Sequence, residues 1–257
     1  MHYRYRAARC HSMFTMNLTV HSPRYQTGFT LIELAVVLVI IGVLVGSILG
    51  TLGARIDNTR RIETQEALED IKLALYGFAM SQSPPRLPCP DTTNDGIEDR
   101  AGGSCTTLTS PGNLPWATLG INRGDAWAST FSYWASDDYS KTVGFCPTTN
   151  ATSVGQIKDS AGGNTIADNV AAVVISHGKN RYGSIDVNNS SRSAIPAGAV
   201  YADERENLDT DAPTSVLFIS RPVASEGAAT AYDDIITWVS EFELKGMMAK
   251  AGVLSCP

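Results

Sequence analysis

Beyond residue 28 the chain has one histidine, His177, and nowhere does it contain an HExxH, a GxSxG or a phosphate-cradling glycine loop. Those absences remove the usual sequence basis for metalloprotease, serine-hydrolase and nucleotide chemistry. His177 directly follows Ser176 at an expected strand end, where adjacent side chains point to opposite faces, so the two are badly placed as nucleophile and base. His177, Lys179 and Arg181 are expected to form the polar end of a strand and its turn, and no enzyme is expected. The five cysteines include no CxxC pair, so a zinc cluster lacks its usual spacing. There is no second long apolar run to accompany Phe29 to Leu52, which excludes a polytopic membrane protein. Acidic residues are absent from the first 28 positions, which hold Arg4, Arg6, Arg9 and Arg24, while the whole chain carries a net charge of −6. The remainder is therefore strongly acidic, a surface ill suited to a phosphate backbone, and no nucleic-acid partner is expected.

What is present fits a single anchor and a soluble body. At 257 residues, 43% hydrophobic and 18% charged, the chain is long enough to bury a proper core. Phe29 to Leu52 carries Glu33 as its only charge, and as a helix it would extend about 36 Å, enough to cross a bilayer. Its far side reads Gly53-Ala54-Arg55-Ile56, not a small-residue cleavage site, so the span is expected to be retained. Arginines before it and acids after it place the N-terminus in the cytoplasm and the body outside. Gly42, Gly46 and Gly50 recur every four residues, a stripe that admits a close helix neighbour, though glycine is also simply common in membrane helices. Residues 53–83 keep helical spacing, with Ala67 or Leu68, Ile71, Leu75 and Phe78 on one face, until Pro84 and Pro85 end the pattern. An ionised Glu33 near the start of an apolar helix costs at least a few kcal/mol unless paired.

Gly28-Phe29-Thr30-Leu31-Ile32-Glu33-Leu34, after a basic leader and before an unbroken apolar helix, resembles the prepilin processing signal of type IV pilins and type II secretion pseudopilins. The resemblance is close from residue 24 to about 55 and architectural beyond. It implies cleavage by a prepilin peptidase between Gly28 and Phe29, N-methylation of Phe29, and an assembly role for Glu33. The carboxylate would neutralise the Phe29 amine of a neighbouring subunit in a low-dielectric fibre core. The implied partners are the peptidase, other pilin or pseudopilin subunits and an inner-membrane assembly platform. A leader of 28 residues is long for this class; Met13 and Met16 offer later starts, the second of which would discard Cys10.

After Pro85 the texture becomes turn-rich. Residues 126–136 alternate with Trp127, Phe131 and Tyr133 on one side, while 170–176, 214–220 and 234–240 read as further strands, and ELKGMMAK as a short C-terminal helix. Strands without alternating helices predict an α+β fold: a long N-terminal helix packed on an antiparallel β-sheet head, residues 84–257, tied by disulfides. Cys89, Cys105, Cys146 and Cys256 allow three pairings, of which Cys89 with Cys105 and Cys146 with Cys256 are preferred over free thiols or a metal site. Asp91, Thr93, Asp95 and Asp99 follow calcium-loop spacing around Gly96, but Gly102 stands where a bidentate glutamate belongs, and Asn-Asp-Gly is equally an ordinary turn. Calcium is the only cofactor this pattern admits. Trp116, Trp127, Trp134 and Trp238 are expected in the sheet packing more than on a sugar-binding surface. The expected protein is a structural, pilin-like subunit, a minor one given its large head. The alternative is a membrane-anchored binding protein or adhesin that uses the helix as a tether.

Overall fold

The structure, a computed structural model, describes residues 28–106, 110–146, 151, 154–188, 191–208, 215–224, 227 and 229–253; the side chains of residues 47–52 and 215 lie outside that description. The chain divides into two compact units at Gly50 and Thr51, with helix α1 (Leu31–Ser81) contributing to both. In the second unit a small hairpin of β1 (Arg100–Ala101) and β2 (Ser104–Cys105) comes first, then β3 (Gly112–Asn113), α2 (Trp116–Leu119), β4 (Ser132–Ala135) and α3 (Asp137–Ser140). β5 (Val154–Lys158) and the long β6 (Thr165–Ser176) follow, then α4 (Ala202–Glu206), β7 (Ser215–Ile219), β8 (Ile235–Ser240) and α5 (Glu241–Lys250).

β6 organises the main sheet. It pairs antiparallel with β4, β5 and β8; Val173 lies between Trp134 and Trp238, and Val170 between Gly155 and Ser240. β4 and β5 therefore share one edge of β6 end to end, with β8 along the other. The expected antiparallel sheet is corrected to a mixed one, because β7 runs parallel to β5. A parallel neighbour cannot be joined by a tight hairpin: between β5 and β7 the chain first runs back along β6, then returns through a long connection that carries α4.

Both faces of β6 are covered, which is why residues 170–176 read as an apolar run without alternation. One face packs on α1 through Leu68, Ile71, Leu75 and Ala79, with Tyr133, Val174, Val239 and Leu244 completing that core. The other holds Trp134, Ile157, Val173, Ile175, Val216 and Phe218. A register shift between Val170 and Ala172 lets consecutive Ala171 and Ala172 face the α1 side. The expected helix face holds for Leu68, Ile71 and Leu75. Phe78 is only half-buried, with Arg86 over its ring at 5.1 Å, and Tyr76 and Ala79 take the buried positions.

The expected strand over 126–136 shortens to β4. Asp125 Oδ1 accepts hydrogen bonds from the Trp127 and Ser129 amides, and Ala128 sits at φ 59°, so the chain turns there before it can extend. Trp127, Phe131 and Tyr133 still enter the same core.

Cys89 and Cys105 form a disulfide across the 84–106 loops. Cys146 is also disulfide-bonded, and its expected partner Cys256 lies outside the described residues. Beside the first disulfide, Arg86 grips Glu98 with both guanidinium nitrogens at 2.8 and 2.9 Å, Arg100 Nε adds 3.0 Å, and the Cys89 amide donates at 2.9 Å. Burial would raise the Glu98 pKa, but these donors together outweigh it and hold it below its usual 4.5. A depressed carboxylate stabilises the fold above its unfolded pKa and loses that contribution as pH falls through the folded one. Glu98→Gln is expected to cost about 2 kcal/mol at neutral pH, allowing for partial exposure of the group. Measured by thermal unfolding of the full chain, the gap to wild type should close as pH drops below about 4.5.

Candidate functional site

The helix that carries the N-terminal signal begins with a reciprocal cap. The first turn of any helix leaves its amides without intrahelical acceptors. Here Thr30 Oγ1 accepts from the Glu33 amide at 3.2 Å, while Glu33 Oε2 accepts from the Thr30 amide and from Thr30 Oγ1, each at 2.9 Å. That is a capping box, and its Thr-x-x-Glu pattern stood in the sequence. Both bonds fall on Oε2. Among the described residues, Glu33 Oε1 has no hydrogen bond.

The segment behind the cap is apolar on every side and covered on none. Phe29 and Leu31 are 88% exposed, and the large apolar side chains from Leu34 to Val45 are about half exposed or more. A side chain built on Gly42 or Gly46 would meet nothing within 4 Å, so among the described residues those two glycines have no partner; Gly50 is outside the described side chains. A helix hydrophobic all round is stable only against lipid or other protein. Among the described residues no helix is long and apolar enough to cross a membrane. The described apolar stretch ends at Gly46, short of the roughly 20 residues a span requires, so the expected 29–52 span is described only in part. Of the leader, only Gly28 is described; Arg4, Arg6, Arg9, Cys10, Met13, Met16 and Arg24 lie outside.

Residues 23–49, which enclose this cap and its glycine, match the family model described as the prokaryotic N-terminal methylation motif. The chain carries a pilin-type signal. The match places Gly28, Phe29 and Glu33 inside a motif whose implied reader is a prepilin peptidase. No curated protein and no solved structure matches the chain.

In the head, residues distant in sequence from His177 become its neighbours. Its Nε2 lies 2.8 Å from Ser132 Oγ and its Nδ1 3.5 Å from Asp234 Oδ1. The row has the composition of a hydrolytic triad, but Ser132 is 1% exposed and its Oγ accepts from Arg192 Nη1 at 3.1 Å. A nucleophile sealed from solvent and bonded to a guanidinium has no route to a substrate. Ser176, facing the other way, donates to Asp125 Oδ2 at 2.6 Å, as the alternation of a strand requires. Lys179 pairs with Asp57 at 2.6 Å, and Arg181 with Asp186.

The 91–99 segment uses its carboxylates on its own backbone. Asp91 accepts from the amides of Thr93, Asn94 and Gly96, Asp95 from that of Ile97, and Asp99 Oδ2 from those of Thr92 and Thr93. Gly96 sits at φ 86° under the Trp116 ring, where a Cβ would approach to 2.4 Å, so only glycine fits the turn. The one group of three or more metal-capable side chains that converges among the described residues lies elsewhere, at Glu204, Asp233 and Asp234. Trp127 and Trp134 are core residues, and Trp238, partly buried, packs on the second core.

Proposed function

We propose that the chain is a non-enzymatic, pilin-like structural subunit, a minor pilin or pseudopilin. In this account it enters the inner membrane with its leader cytoplasmic and its head periplasmic, and residues 29–52 form the span. Prepilin peptidase cuts between Gly28 and Phe29 and methylates the new amine, and the mature chain joins a type IV pilus or type II secretion pseudopilus. The observation that carries this reading is the methylation motif over residues 23–49 on a helix whose large apolar side chains, as described from Phe29 to Val45, are about half exposed or more.

The chemistry of assembly follows from the cap. Cleavage leaves the Thr30 amide intact, so Glu33 Oε2 keeps its bonds and holds the carboxylate at the start of the helix. Oε1 is then free to take the Phe29 ammonium of a neighbouring subunit. Two unlike charges about 4 Å apart attract by about 1 kcal/mol in water and about 4 kcal/mol at an effective dielectric of 20. In an apolar bundle the pair fixes axial register, and the Gly42, Gly46 and Gly50 stripe lets helices approach closely.

The test is Gly28→Val expressed in the native host. A β-branched side chain at the scissile residue is expected to leave essentially all of the protein with its leader attached, read by intact mass. Cleavage at the wild-type site and extent would contradict prepilin processing.

A further inference from the structure

We propose that Glu204, Asp233 and Asp234, together with the His177 imidazole, form a binding site for one hard divalent cation, calcium or manganese. One carboxylate oxygen from each of the three acids lies within 4.8 Å of the others. Each acid is held through one oxygen: Glu204 Oε1 accepts from Asn180 Nδ2 at 2.8 Å, Asp233 Oδ2 from the Asn180 amide at 2.8 Å, and Asp234 Oδ2 from Asn207 Nδ2 at 2.8 Å. Among the described residues Glu204 Oε2, Asp233 Oδ1 and Asp234 Oδ1 accept no hydrogen bond. Carboxylates fixed by outer partners, each with one bare oxygen, are the pattern of a prepared ion site.

His177 supplies a separate indication. It is wholly buried, its Nδ1 makes no hydrogen bond, and that nitrogen points at Asp234 Oδ1 from 3.5 Å. With the ring proton on Nε2, donated to Ser132, Nδ1 presents a lone pair to the cluster.

Charge makes the vacancy of partners costly. Glu204 is fully buried and Asp234 is 4% exposed, and uncompensated buried anions cost several kcal/mol each. Burial, and after it Asp234, pushes the Glu204 carboxyl up to about 7, and burial pushes Asp233 up to about 6. The nearby cations are committed elsewhere: Arg221 to Asp203 at 2.8 Å and Lys179 to Asp57. Arg61 bears on Asp233 only as a minor influence. Carboxylate oxygens select hard ions, and a single imidazole is compatible with manganese as well as calcium. Of the four, Asp233 alone lines a cavity of about 650 Å³, whose wall also holds Asn180, Lys179 and Arg61, and an ion would enter from that side. Once bound, the ion would tie α4 to the segment entering β8 and to the turn after β6.

The full-length protein, extracted in mild detergent and stripped with chelator, is titrated calorimetrically with calcium or manganese chloride alone. One ion should bind per chain, with the dissociation constant raised at least tenfold in Glu204→Gln and in Asp233→Asn and unchanged in Asp95→Asn. Asp233→Asn lies at the cavity wall and decides the matter if Glu204→Gln fails to fold. Absence of binding by either ion at millimolar concentration, wild-type binding in Asp233→Asn, or loss of binding in Asp95→Asn overturns the proposal.

Discussion

Glu33→Gln is expected to be processed like the wild type yet to reach sheared fibres at less than a tenth of its level. The substitution separates two tasks that share one side chain. A glutamine oxygen still accepts from the Thr30 amide, so the capping box largely survives, whereas the charge that meets the Phe29 ammonium is gone. An attraction of about 4 kcal/mol per contact corresponds to roughly a thousandfold in affinity, so a tenfold loss is a cautious threshold. Thr30→Ala is the complementary variant: it removes the cap hydroxyl, costing about 1 kcal/mol of helix stability, and leaves the charge. Thr30→Ala should therefore assemble. Glu33→Gln fibres at wild-type abundance, with Thr30→Ala defective, would reassign Glu33 from intersubunit pairing to local capping.

Leu75→Ala should lower the unfolding midpoint of the full chain by about 10 °C. Leu75 is fully buried where α1 meets the sheet, among Tyr133, Val174 and Leu244. Truncating a buried leucine removes transfer energy and leaves a cavity that a helix held against a sheet cannot readily close, about 3 kcal/mol together. For a body of this size each kcal/mol moves the midpoint by about 2–4 °C. Leu73 is two residues away on the same helix and 63% exposed, so Leu73→Ala should stay within about 0.5 kcal/mol of wild type. Equal losses in the two variants, followed by circular dichroism, would contradict the helix orientation.

The parts of the fold that were legible are those whose signal is local. Spacing named Leu68, Ile71 and Leu75, tandem prolines marked the end of α1, and the buried runs marked β6, β7 and β8. The loop-closing Cys89–Cys105 pairing was also readable. What escaped depends on chain topology. β5, with only Gly155 and Ile157 buried, is too short and mixed to announce itself, and its parallel neighbour β7 lies more than fifty residues further on, with β6 between them in the chain. His177 looked isolated because Ser132 reaches it from β4 and Asp234 from the segment entering β8. The 91–99 segment shows the opposite limit: an Asp-rich turn around Asn-Asp-Gly has one sequence pattern for two chemistries, and here backbone amides bond both oxygens of Asp91. At the N-terminus the Thr30-x-x-Glu33 box was plain in the letters but masked by the stronger question of a charge in an apolar run.

The most direct measurement is the intact mass and N-terminal sequence of the protein extracted from the membranes of its native host. A chain beginning at N-methylated Phe29 is the expected result. A chain that keeps its leader, or one cut beyond residue 50, would contradict the pilin-like account and leave the head to be explained as a tethered or secreted protein.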